Sequence, residues 1–220
     1  MSIGDRQVEE TGMETDKGMT PSDTGKAYDQ ITHKWESDEF DLSNGIEPHE
    51  RAIAFVKDRG RALDVGCGCT SRFIDLLLSR GFTPEGVDIS KAMIDLAGNR
   101  HPGIRFHHAD ICQWELPGTY DFITAWDSIW HVPLDQQEKV LRKLIHGLNT
   151  GGILIFSCGG TDAEGFHTDD VMGPKVYYAT LGVNGFLELF INLGCICRHL
   201  EYDQYPELHC YFIVQKTDPL

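Results

Sequence analysis

Asp64, two residues before the glycine turn Gly66-Cys67-Gly68, and Asp88, twenty residues after that turn in Gly86-Val87-Asp88-Ile89-Ser90, are the residues best placed to do chemistry. Apolar residues precede each carboxylate, so the pattern reads as strand, glycine turn, helix and second strand. Such a βαβ unit holds a nucleoside-like ligand at the strand ends. Asp64 narrows the choice. A pyrophosphate at the helix N-terminus would be repelled by a carboxylate this close, whereas a ligand carrying positive charge would be attracted. Ser71, where the dinucleotide fingerprint has its third glycine, points the same way.

The elements that must hold these residues follow from hydrophobic period. Ala62–Val65 predicts the first strand, and Arg72–Ser79 a helix ended by Gly81. Glu85–Ile89 is the second strand, and Ser90 caps a helix packing through Met93, Leu96 and Ala97. Ile104–His107, Phe122–Trp126 and Ile153–Cys158 supply three more strands. Asp135 and Glu138 have capping-box spacing ahead of an apolar stripe through Val140, Leu141, Leu144 and Ile145. Asn184 is expected to cap a helix running to Leu193, and Cys195–His199 and Cys210–Val214 to pair as a final antiparallel hairpin. Upstream, Ala27, Tyr28, Ile31 and Trp35 share a helical face, and Pro48 is expected to open a second helix. The fold class is therefore α/β: a Rossmann-like, doubly wound, seven-stranded sheet, mainly parallel, closed by a C-terminal antiparallel hairpin.

Residues 1–26 carry six acids and three bases without apolar periodicity and are expected to form a disordered or loosely attached tail. Residues 27–220 form the domain, with 27–60 as a helical cover. The chain's 220 residues and net charge of −15 argue against nucleic acid or an anionic membrane as partner and favour a small molecule. With neither a membrane-length apolar run nor a signal-peptide core, and with seven scattered cysteines, a cytoplasmic protein with reduced thiols is expected. Oligomeric state is not legible.

Five pieces in order carry a family resemblance: Leu63-Asp-Val-Gly-Cys-Gly68, Val87-Asp88, Ala109-Asp110-Ile111, Tyr120-Asp-Phe-Ile-Thr-Ala-Trp126 and Leu148-Asn-Thr-Gly-Gly152. Together they resemble the class I S-adenosylmethionine-dependent methyltransferases of small-molecule type. The resemblance implies S-adenosyl-L-methionine as cofactor and S-adenosyl-L-homocysteine as product. It places Gly66, Cys67 and Gly68 against the methionine portion and Asp64 near its ammonium. Asp88 is implied at the ribose hydroxyls, Ile89 and Met93 beside the adenine, Asp110 and Ile111 at its amine edge, and Trp126 at the reaction centre.

Methyl transfer is an in-line displacement that needs alignment more than a base. His131 and Asp127, just after the fourth strand, are the candidate catalytic side chains. Residues 159–183, with His167, Tyr177 and Tyr178, are expected to act as a lid, and Tyr28 and Trp35 of the cover are the other acceptor-side candidates. Cys67-x-Cys69 and Cys195-x-Cys197 lack the spacing of structural zinc sites, so no metal is expected. Two alternatives stay open: a protein that binds the cofactor without transferring methyl, and, further off, a nicotinamide-dependent oxidoreductase.

Overall fold

In the computed structural model, residues 19–217 are described. Five parallel strands make most of one sheet: β1 (Arg61–Val65), β2 (Thr83–Asp88), β3 (Arg105–His108), β4 (Tyr120–Ala125) and β5 (Leu148–Gly159). Two more, β8 (Cys195–Glu201) and β9 (His209–Lys216), add antiparallel at one edge, so the order is β3-β2-β1-β4-β5-β9-β8. The seven-stranded, mainly parallel sheet and its terminal hairpin are as the sequence predicts.

Strict alternation builds a core on each face. Leu63, Ile123, Leu154, Phe156 and Phe212 point to one side and meet α6 (Leu134–His146) and α7 (Gly182–Asn192). Their neighbours Ala62, Phe122, Ile153, Ile155 and Ile213 point to the other and meet α3 (Ile46–Ile53) and α4 (Arg72–Ser79). One buried histidine ties α3 down: His49 Nδ1 lies 2.6 Å from the Gly45 carbonyl and Nε2 lies 2.7 Å from Thr124 Oγ1. Burial drives this imidazole down to about 3, so it stays neutral as a donor–acceptor bridge.

Several boundaries differ from the sequence reading. Of the expected tail, residues 1–18 lie outside the described residues, but Pro21–Asp29 is a helix, α1. Its start is local chemistry: Thr20 and Asp23 form a reciprocal capping box, with Pro21 in the first turn. The cover face is split between α1 and the short α2 (His33–Glu36), yet Ala27 and Ile31 are buried as expected. Helix α3 starts two residues ahead of Pro48, because Gly45 at φ 82° turns the chain into it. Asp135 does not cap α6; Pro133 precedes that helix and Asp135 lies in its first turn, where the dipole favours it. Asn184 lies inside α7, which begins at the positive-φ Gly182. The stretch 159–183 contains an antiparallel hairpin, β6 (Gly165–Asp169) with β7 (Val176–Thr180), forming a sheet of its own. Ser90 does cap α5 (Lys91–Arg100), accepting from the Met93 amide.

Among the described residues no helix is long and apolar enough to cross a membrane. Nor do three His, Cys, Asp or Glu side chains gather there so as to hold a metal ion. The seven cysteines are unpaired thiols.

Candidate active site

The C-terminal ends of the parallel strands open into one cavity of about 450 Å³, roofed by α1, α2 and the loop that follows, with β7 at one side. On its floor, Gly68 takes φ 56°, and a side chain added there would meet nothing within 4 Å, so this glycine leaves the space in front of it clear. Gly66 is constrained differently. A Cβ there would sit 2.3 Å from Ser128 Cβ, so its glycine character serves the close passage of the chain after β4. The amides of Gly66 and Cys67 both donate to the Val87 carbonyl, joining the turn to β2.

Asp88 braces that turn from the wall. One carboxylate oxygen accepts from the Gly68 amide at 2.9 Å, the other from Ser90 at 2.8 Å. Burial raises its pKa and these backbone bonds oppose the rise. A carboxylate has about four acceptor positions; two remain for a ligand. Ile89, Met93, Asp110 and Ile111 continue the wall, with Asp110 also accepting from the Cys112 amide at 2.8 Å. Cys67 faces the cavity, and burial holds its thiol well above the ordinary value, which leaves it a poor nucleophile.

Asp64 does not itself line the cavity. Its side chain is buried behind the turn, one oxygen has no hydrogen-bond partner, and burial pushes the carboxyl up to about 7 although Arg72 pulls the other way. Arg72 does line the cavity. It donates to the Asn44 carbonyl and Thr70 Oγ1, stacks over Phe73 and Phe40, and stands 4.0 Å from Asp127. Among the described residues, Asp64 Oδ2 has no hydrogen-bond partner and the Arg72 guanidinium comes no closer than 4.0 Å to Asp127.

Across the cavity, His131 sits in a short 3₁₀ turn after β4. Its Nδ1 lies 2.8 Å from the Tyr177 carbonyl, which fixes the proton there. Nε2 therefore accepts, from Tyr28 Oη at 2.7 Å and Trp130 Nε1 at 3.0 Å. Burial lowers this imidazole to about 4 and raises Tyr28 well above the ordinary tyrosine range. The pair is neutral near pH 7.

Asp127 adopts φ 53°, an uncommon conformation for a residue with a side chain. Ser157 Oγ accepts from its amide and donates to its carboxylate. His209 Nε2 lies 3.1 Å from the same carboxylate, and His209 Nδ1 lies 2.5 Å from Asp203. Burial lowers the His209 pKa, but the two carboxylates outweigh it and the net shift is upward.

Aromatic rings line the upper wall without a break. From Phe40 the belt passes to Trp35 (6.5 Å between centroids), Tyr28 (5.3 Å) and His131 (5.2 Å). It continues to Tyr178 (4.9 Å), Trp130 (6.5 Å), His209 (5.6 Å) and Trp126 (5.5 Å). Trp126 is almost fully buried and donates to Asn44 Oδ1, so it belongs to both core and wall.

Of the residues expected at the acceptor side, Tyr28, Trp35 and Tyr178 line the cavity. His167 stacks on Tyr178 from outside and is mostly exposed, and Tyr177 serves through its backbone carbonyl, its hydroxyl accepting from the Leu134 amide. Neither lines the cavity. Arg72, Trp130 and His209 were not among the expected residues. Trp130 neighbours His131 in sequence and was within reach of the motif; His209 meets Asp127 only through the terminal hairpin.

The methyltransferase-domain family model matches residues 62–152, which run from β1 into β5 and carry the glycine turn, Asp88 and His131. Over that segment the chain resembles the S-adenosylmethionine-dependent methyltransferases, and its fold is theirs. Phosphoethanolamine N-methyltransferase of Plasmodium falciparum is 26% identical over 167 residues, 73% of this chain and 59% of that one. Malonyl-[acyl-carrier protein] O-methyltransferase of Bacillus anthracis is 31% identical over 149 residues, 64% and 52% of the two chains. Among solved structures, magnesium protoporphyrin IX methyltransferase from Synechocystis, determined with bound S-adenosylmethionine, superposes with a TM-score of 0.67 at 16% identity, covering 92% of this chain and 100% of that one. The chain spans about 60% of the length of the first curated relatives that it matches.

Proposed function

We propose that this methyltransferase moves a methyl group from S-adenosylmethionine to an oxygen, nitrogen or sulfur of a small-molecule acceptor, working in the reducing cytoplasm that its free thiols suit. The observation that carries the reading is a pair of complementary charges at the glycine turn: the Asp64 carboxylate, buried behind the turn with an unpaired oxygen, and the Arg72 guanidinium, which lines the cavity. A buried unpaired carboxylate is costly until a cation approaches. The methionine end of the donor is a zwitterion: its ammonium suits Asp64 and its carboxylate suits Arg72. Asp88 retains acceptor capacity for two ribose hydroxyls, and the open floor above Gly68 leaves room for the chain between them. When bound, the donor supplies a methyl carbon already activated by a cationic sulfur.

The protein's own task is then alignment and proton handling. The aromatic belt excludes water from the upper cavity. His131 holds no proton on Nε2 and receives the Tyr28 hydroxyl there, so a proton lost by an acceptor passes to Tyr28 Oη while the tyrosine proton moves to His131. The Tyr177 carbonyl, already accepting from Nδ1, stabilises the imidazolium that forms.

Calorimetry with S-adenosylmethionine, S-adenosylhomocysteine and NAD tests the donor half. Both sulfur compounds are expected to bind and NAD is not; binding of NAD alone would sink the reading. Turnover to S-adenosylhomocysteine over a panel of amines, phenols and thiols tests the acceptor half, and silence across all of them would favour a protein that binds the donor without transferring methyl.

A further inference from the structure

We infer that the acceptor is a small amine, bound as its ammonium by the Asp127 carboxylate within the aromatic belt, and that His209 is the positioning residue that aims this carboxylate. The inference rests on the methyl-transfer reading above and narrows its acceptor. Carboxylates only accept hydrogen bonds. Bridging Asp127 and Asp203 therefore requires a proton on both ring nitrogens of His209, which makes it an imidazolium held between two acids. Its N–H groups are fully used, so it offers nothing to an anionic acceptor. Arg72, which the reading above gives to the donor's carboxylate, lies beyond hydrogen-bond distance of Asp127. Asp127 lines the cavity with 37% of its side chain exposed; Lys34, beside Trp35 in sequence, is a cation that also lines it.

The local structure is arranged around that carboxylate. Asp127 tolerates a left-handed backbone, and Ser157 and His209 both hold its Oδ1. Oδ2 makes no hydrogen bond closer than the 4.0 Å approach of Arg72. Rings with π-faces toward an ammonium add attraction that a neutral group of the same size does not receive. Trp130 packs on His209, which holds Asp127, and Tyr178, Tyr28 and Trp35 continue the ring of aromatic side chains around the same cavity. Such a surface favours the ammonium over a hydroxyl and equally accommodates the methylated ammonium that results. The bound nitrogen sheds one proton to the Tyr28–His131 pair before its lone pair forms the new C–N bond, while the electrons of the old S–C bond remain on sulfur.

The test uses two probes of matched size, tetramethylammonium chloride and tert-butanol, titrated at constant ionic strength against the full-length protein saturated with S-adenosylhomocysteine. Tryptophan fluorescence reads the binding, since Trp35 and Trp130 line the site. Tetramethylammonium is expected to bind at least about tenfold more tightly than tert-butanol. Asp127→Asn is expected to abolish that preference, and His209→Gln to reduce it, with S-adenosylhomocysteine affinity unchanged within about twofold in both. A collapsed site would weaken both probes together, whereas lost aim lowers only their ratio. Equal binding of the two probes to the wild-type protein overturns the inference without any variant. So does an Asp127→Asn protein whose preference persists, or one that loses S-adenosylhomocysteine to the same extent, which would assign Asp127 to the donor. If the wild-type protein fails to bind S-adenosylhomocysteine at all, the donor reading falls first and this inference with it.

Discussion

In the proton relay proposed for Tyr28 and His131, a buried histidine would serve as a proton acceptor without being a strong base. With its pKa near 4 it carries no second proton at neutral pH, and the Tyr177 carbonyl keeps its one proton on Nδ1. Its rate contribution is therefore expected to be flat through neutrality and to fall only as the pH drops toward 4. Tyr28→Phe removes the hydroxyl that links acceptor to imidazole and keeps the ring. We predict a loss in kcat of about a hundredfold, within the usual range for positioned acid–base groups, with donor affinity retained. A Tyr28→Phe enzyme with normal kcat would mean that alignment alone carries the reaction. Asp88 makes the complementary prediction on the donor side. Asp88→Ala deletes two acceptor oxygens and strands the Gly68 and Ser90 amides, so S-adenosylhomocysteine binding should weaken by about 1.5–3 kcal/mol. Calorimetry checks this, and an unchanged affinity would place the ribose elsewhere.

Helix α1 joins the cavity to α5, because Thr24 and Tyr28 line the cavity while Asp29 grips α5. The Asp29 carboxylate accepts from Ser90 Oγ and from the Ala92 amide, at the helix end that follows Asp88. Gly25 lets α1 lie directly on the strand end: an added Cβ would stand 2.9 Å from the Ile89 carbonyl oxygen, a backbone atom with little freedom to yield. Gly25→Ala should therefore lift the helix, costing about 1–3 kcal/mol in stability and weakening donor binding. Thermal unfolding with and without S-adenosylhomocysteine measures both, and a variant as stable and as tight as the wild type would show that α1 does not close the site. This contact also marks where sequence reading stops. The unit from β1 to α5 was legible because its signals are local: an apolar run, a glycine turn, Ser90 as a cap. The same local logic missed α1, whose capping box at Thr20 and Asp23 was hidden within a polar stretch. It misplaced the starts of α6 and α7, since Asp135 and Asn184 resemble caps but Pro133 and Gly182 set the turns. The β6–β7 hairpin escaped because it pairs only with itself, forming a sheet apart from the main one, with β7 packed on the turn that carries His131. His209 was unreadable for a different reason. It lies 82 residues from Asp127 and reaches it only because β9 pairs with β5, placing His209 opposite Gly159.

At the scale of the whole molecule, the fold carries an electrostatic cost at Asp64 that the donor, as proposed, would relieve. Asp64 is buried with an unpaired oxygen, and its carboxyl is pushed from 3.8 to about 7. A carboxyl raised on folding means that the native state holds its proton more tightly than the unfolded chain does. Its full contribution is thus present below about pH 4 and is lost as the pH climbs through about 7, levelling off above. At about 1.4 kcal/mol for each pH unit, the loss amounts to at most about 4 kcal/mol. Other groups titrate over the same range, so the difference between wild type and Asp64→Asn isolates this one. The ligand-free variant should gain stability relative to wild type as the pH rises from 5 to 8. On the proposed reading, the donor's ammonium would supply the missing charge. Near pH 7 its binding should expel part of a proton, seen as a binding heat that depends on the buffer's own ionisation heat. S-adenosylhomocysteine should also raise the wild-type melting temperature more at pH 8 than at pH 6. In Asp64→Asn the proton release should vanish and the two increments should converge. A wild-type binding heat that ignores the buffer, or a variant that keeps the full pH slope, would mean that Asp64 stays ionised in the ligand-free protein and that the donor's ammonium is met by another group.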